Sequence, residues 1–142
     1  MIVVVVDTGV YVSALVFGGI PQVAVAQAMK PPYNLGVSAE IQAELTETLC
    51  TKFGWAAEHV EEAGKRLWTN ALWCKPANVK ASRDPDDDHV LGCAVAGNAQ
   101  FLISGDKDLL TLHPYGAVAI VTPAQFLEMH ATAAKEDDNT EL

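Results

Sequence analysis

What the chain has least of narrows its reading first. Of 142 residues only 3 are cysteine and 7% aromatic. Cys50, Cys74 and Cys93 are widely spaced, odd in number and form neither a CxxC nor a CxxH pair, which speaks against a disulfide framework and against zinc. Set in apolar or helical surroundings, they read as buried, reduced thiols of a cytoplasmic protein. Basic residues are outnumbered two to one, 9 against 18 acidic, and the net charge is −9. Such a surface starts poorly at neutralising phosphates, so a nucleic-acid partner requires a divalent ion or a basic patch lent by a second subunit. No apolar run approaches the roughly 20 residues of a membrane span, and Ile2 to Val6 is too short, and lacks the basic flank, for a signal peptide. Several motifs are missing as well. Neither GxGxxG after the first strand nor GxxxxGK[ST] occurs, no GxSxG elbow is present, and His59, His89, His113 and His130 lack HExxH spacing.

What is present is an alternation of strands and helices. Met1 to Val6 is an unbroken apolar run that stops at Asp7-Thr8-Gly9, the pattern of a central strand covered on both faces. Val10 to Val16 predicts a short helix broken by Gly18-Gly19. Pro21 opens a second, Gln22 to Met29, with Val23, Ala24, Ala26 and Ala28 as its small apolar side, and Pro31-Pro32 ends it. Asn34 to Val37 predicts a strand, and Ser38 caps a helix from Ala39 to Cys50. There Ile41, Leu45 and Leu49 recur at fourfold spacing. A solvated face is the usual fate of helix glutamates and suits Glu40 and Glu47, whereas Glu44 adjoins the apolar stripe. Ala56 to Asn70 predicts a further helix, with Val60, Ala63, Gly64 and Leu67 inward and short extended segments at Leu72 to Cys74 and Ala77 to Val79. Trp55, Trp68 and Trp73 suit a core or a dimer contact better than a base-stacking surface. Phe101 to Ile103 and Ala117 to Val121 are the last strands, Lys107 to Leu110 is a helical turn, and Ala124 to about Ala133 closes the chain behind Pro123. Connections this short predict one domain over residues 1–133, an α/β fold in three α/β/α layers with a mostly parallel central sheet. Residues 134–142, with Glu136, Asp137, Asp138 and Glu141 against Lys135, read as a disordered acidic tail.

The chain is organised around Ser82-Arg83-Asp84-Pro85-Asp86-Asp87-Asp88-His89. Four Asp in five positions with a Pro suit the first turn of a helix, whose free N–H groups favour negative charge. That capping role accounts for the stretch taken alone. The next strand, however, ends at Ser104-Gly105-Asp106, and the carboxyl ends of parallel strands are where ligands bind. Asp7, the Asp84 to Asp88 cluster, Asp106 and Glu44 thus fall where they can converge. Carboxylates so gathered raise one another's pKa unless a cation lies between them. Hard oxygen donors suit Mg²⁺ or Mn²⁺, which favour hydrolysis of a phosphodiester. His89 is the one histidine beside this cluster.

Val3-Val-Val-Val-Asp7-Thr-Gly-Val10, Ser38 with Glu44-Leu45, Asp84-Pro-Asp-Asp-Asp-His-Val-Leu91 and Leu102-Ile-Ser-Gly-Asp106-Lys-Asp-Leu-Leu110, in that order, resemble the PIN domain over roughly Ile2 to Leu127. Within that family the chain is similar to the VapC branch of toxin–antitoxin systems. The resemblance implies a PIN-like fold and a Mg²⁺- or Mn²⁺-dependent endoribonuclease acting on RNA. It implies Asp7, Glu44, Asp87 and Asp106 as catalytic metal ligands, with Asp88 the adjacent alternative to Asp87 and Ser104 in support. It also implies a homodimer or higher oligomer and a small antitoxin protein as partner, with no membrane. The chain departs from the family at Gly9, where many relatives have Asn, and in its acidic body. Both departures favour the runner-up, a non-catalytic PIN-fold scaffold that binds RNA or a protein. A site for small phosphomonoesters ranks below it.

Overall fold

The structure, a computed structural model, describes residues 1–81 and 84–130. The expected acidic tail and the last turn of the expected closing helix lie outside the described residues. Five strands, β1 (Ile2–Val6), β2 (Tyr33–Val37), β3 (Leu72–Trp73), β4 (Phe101–Ile103) and β5 (Ala119–Val121), form one sheet in the order β3-β2-β1-β4-β5. Every pairing in it is parallel. Around it stand α1 (Thr8–Val16), α2 (Gly19–Ala28), α3 (Ala39–Phe53), α4 (Ala57–Trp68), α5 (Pro85–Ala96), α6 (Lys107–Leu110) and a helix over 123–130, α7. The expected α/β sandwich is therefore present, with a sheet that is wholly rather than mostly parallel.

The β-branched run of β1 explains its central place. Val4, Val5 and Val6 have no exposed surface, so consecutive side chains on both faces of the strand are covered. On α3, Ile41, Leu45 and Leu49 are buried as their spacing predicts, and Ser38 Oγ accepts from the Ile41 N–H at 3.2 Å. The helix runs one turn past Cys50, because the stop signal is Gly54 in the left-handed region at φ 67°, where glycine is free of the Cβ penalty. Two expectations are corrected here. On α2 the inward side is Ala24, Val25 and Ala28, whereas Val23 and Ala26 are exposed. The helix starts at Gly19, so Pro21 is its third residue and not its first. Cys93 is buried, but Cys50 and Cys74 are only partly covered, and all three are free. Burial, followed by the neighbouring Cys74, pushes the Cys93 thiol up to about 12, which suits an inert thiol. Among the described residues no single helix is long and apolar enough to cross a membrane.

Helix α5 packs across β1, β2 and β4, and its approach depends on small residues. A Cβ on Gly92 would run into the carbonyl oxygen of Ala77, and the Ala77 N–H donates to the Gly92 carbonyl at 3.0 Å. The helix that carries the acidic stretch is thereby seated against segment 77–81. Gly92→Ala should destabilise the protein by about 1–3 kcal/mol, the usual cost of overpacking a site bounded by backbone. Urea denaturation of the two proteins checks this.

Candidate functional site

In a sheet of order β3-β2-β1-β4-β5 the chain reverses direction between β1 and β4, and a crevice opens beyond the carboxyl ends of those two strands. Both strands end on an acid there. Asp7 follows β1 and is the N-cap of α1, its N–H donating to the Ile103 carbonyl at 2.9 Å. Asp106 follows β4 and caps α6, its Oδ1 accepting from the Asp108 N–H at 2.9 Å. Fully buried Ser104 joins them: its Oγ donates to Asp7 Oδ2 at 2.8 Å and accepts from the Asp106 N–H at 3.0 Å. Glu44 enters from α3 and Asp87 from the first turn of α5. All four acids line one cavity of about 790 Å³.

The cavity is electrostatically costly as it stands. Burial raises Asp7, and Glu44 and Asp106 add to the rise, while hydrogen bonds from Ser104 and from the Thr8 N–H oppose it. Burial likewise raises Asp87, to about 7, with Asp106, Asp7 and Asp84 pushing the same way. Carboxylate oxygens of Asp87, Asp106 and Asp108 lie within 4.8 Å of one another. An all-oxygen set this close fits a hard divalent ion such as Mg²⁺ or Mn²⁺, whose charge would oppose the mutual repulsion of the carboxylates.

The structure brings together Asp7, Glu44, Asp87, Asp106 and Ser104, and separates the two adjacent aspartates. Asp87 clusters with Asp106, whereas Asp88 Oδ1 accepts from the Ala81 N–H at 3.2 Å and holds the loop before α5. His89 Nε2 lies 3.1 Å from Glu44 Oε2, so the one histidine singled out beside the cluster is a partner of its glutamate. The others are local: His113 Nδ1 accepts from the Ile120 N–H, His130 meets the Tyr33 hydroxyl, and His59 stacks on Trp55. Asp108 was missed by sequence reasoning, which placed it in a helical turn. Its signal is its position two residues after Asp106 at the start of α6. Gly9 lies on the cavity wall, where an added Cβ would meet nothing within 4 Å. A second cavity, about 740 Å³ between α3 and α4, shares no lining residue with the first and pairs Glu61 with Lys65 in its lining.

Fold and site together define a parallel α/β protein with an acidic, metal-suited centre at its topological switch point. The family model for the PIN domain matches residues 3–108, and the chain belongs to that family. Its fold is shared with a chain of VapBC2 from Rickettsia felis, solved bound to a DNA fragment from their promoter, at TM-score 0.58 and 12% identity over 84% of this chain and 97% of that one. A chain of VapBC-1 from nontypeable Haemophilus influenzae matches at TM-score 0.61 and 16% identity, over 87% of this chain and 99% of that one. No curated protein matches the chain significantly.

The raised acids fix the sign of a pH effect. A carboxyl whose folded pKa lies above its unfolded value binds its proton more tightly in the fold, so its contribution favours the fold at low pH and is lost as pH rises. For Asp87 that window runs from the ordinary 3.8 to about 7. Thermal melts of metal-free protein should therefore show a loss of stability across this window that is reduced in Asp87→Asn. Excess Mn²⁺ should restore stability above the window and do little below it.

Proposed function

We propose that this chain is a metal-dependent endoribonuclease that hydrolyses RNA phosphodiester bonds in the cytoplasm as the toxin of a toxin–antitoxin pair. One observation carries the reading: four carboxylates from four separate elements, Asp7, Glu44, Asp87 and Asp106, line one cavity at the switch point. Asp87 and Asp106 would hold the ion with Asp7 and Glu44, and Asp108 lies within reach of the same set. When bound, Mg²⁺ or Mn²⁺ supplies Lewis-acid activation of water and offsets charge on phosphate oxygens. The chain's own groups set the geometry. Ser104 orients the Asp7 carboxylate and ties it to the Asp106 backbone, so neither acid swings independently. His89 orients Glu44. Asp88, engaged with Ala81, serves the loop, which supports Asp87 as the ligand of the pair.

The shared fold with VapBC chains supports a small antitoxin protein as partner; a homodimer or higher oligomer is the assembled state we propose beside it. Membership of the PIN family supports RNA as substrate.

Purified protein should cut members of a panel of structured and single-stranded RNAs with Mn²⁺ and lose that activity in EDTA. Asp7→Asn, Asp87→Asn and Asp106→Asn should each lower the rate by about a hundredfold or more, while Asp88→Asn, which keeps its acceptor for Ala81, should cut nearly as the parent does. No cutting of any RNA, from protein that Mn²⁺ still stabilises, would sink the nuclease and favour the non-catalytic scaffold.

A further inference from the structure

The acids occupy only one end of their cavity. Two helices run away from them: α1, which begins at Asp7, and α3, which passes Glu44. On α3 the cavity wall continues through Thr48 to Lys52, residues at four-residue spacing and hence on one stripe, over about 12 Å of helix. On α1 it continues through Ser13 to Phe17. The helices meet again at the far end in an edge-to-face pair of Phe17 and Phe53, centroids 6.0 Å apart at 82°. Phe17 is 75% exposed and Phe53 38%. A phenyl ring this exposed leaves an apolar face in water, and Phe53 packed against it fixes its orientation.

We infer that Phe17, held by Phe53, is a stacking surface for an unpaired base of a single-stranded RNA, with Lys52 on the adjoining phosphate and the scissile phosphate at the acid end. The inference deepens the nuclease reading and rests on it. A strand of RNA is an amphipathic chain, anionic along its backbone and apolar on the faces of its bases. The cavity offers the matching sequence of groups: acids suited to an ion, then the hydroxyls of Ser13 and Thr48, one lysine, and an exposed aromatic face. Only an unpaired base can stack in this way, since a duplex keeps its base faces covered. A protein partner would need a continuous apolar surface. Ile20 and Val23 of α2 are both 55% exposed, but neither lines the cavity, and the hydroxyls and Lys52 that line it beside the rings and the acids favour RNA.

The test is binding of a dye-labelled short oligoribonucleotide to the full chain carrying Asp7→Asn, which keeps the strand intact. Phe17→Leu preserves apolar bulk at an exposed position and removes only the aromatic face. It should weaken binding by roughly ten- to a hundredfold, and Phe53→Leu by less. The same strand with abasic sugars should bind the Phe17-containing protein as weakly as the intact strand binds Phe17→Leu. Trp73→Leu, which removes a half-exposed aromatic outside this cavity, should change nothing. Equal affinity with and without Phe17, equal affinity for the abasic strand, or no binding of any single strand would overturn the inference. So would unchanged RNA affinity in Phe17→Leu accompanied by loss of a co-expressed small protein partner. Cutting by the parent chain, measured separately, decides the nuclease reading on its own.

Discussion

Carboxylates gathered in one cavity repel, and the rest of the molecule is arranged to hold them there. Asp7 and Asp87 are raised by burial and by one another's neighbours, which means that the folded chain keeps them together at a cost. That cost is carried by the rigidity of what lies beneath. Val4, Val5 and Val6 of β1 and Leu102 and Ile103 of β4 are fully buried, so the two strand ends that present Asp7 and Ser104 cannot drift apart without opening the core. A fold has no structural need for such a cluster, and strongly shifted acids at a crevice point to function for that reason.

Ser104 shows how the site is kept in register. Its hydroxyl has one proton to give and gives it to Asp7, while its oxygen takes the N–H of Asp106. The acid after β1 and the acid after β4 are therefore linked through one buried atom, and the Asp7 N–H bond to the Ile103 carbonyl closes the same link through backbone. On the other side, Asp88 Oδ1 accepts from the Ala81 N–H, and Gly92 lets Ala77 approach α5 closely. These contacts lie on the same helix that brings Asp87 beside Asp106.

Much of this was legible in the residues. An unbroken run ending in Asp7, a Ser38 cap with Ile41, Leu45 and Leu49 behind it, and a short strand ending in Ser104-Gly105-Asp106 are local signals, and local physics decides them. The stripe position of Glu44 was readable for the same reason. What was not readable depends on the tertiary setting. Asp87 and Asp88 are successive helix positions that point in different directions, and which one faces the strands depends on contacts with Ala77 and Ala81 that no spacing encodes. The α2 stripe was misread because Val23 through Ala28 is apolar nearly all round, so periodicity could not choose the inward side. The extra turn of α3 was missed because Gly54, the true stop, lies beyond Cys50, and with that turn went Lys52 and Phe53.

The acidic body and an RNA substrate are compatible once distance is considered. Net charge acts over a long range, and at physiological ionic strength exposed charges more than about 8 Å away are largely screened. What a phosphate meets in the cavity is local, and a divalent ion among carboxylates reverses the sign of that locality. At the other end of the cavity the groups are Lys52 and two phenyl rings, and stacking on a ring face draws on apolar contact and dispersion, to which the protein's net charge is nearly irrelevant. On the proposed reading, a protein short of basic residues would have two means of holding a polyanion that need few of them, an ion among the acids and an aromatic face; the four acids, Phe17 and Phe53 all line a single cavity.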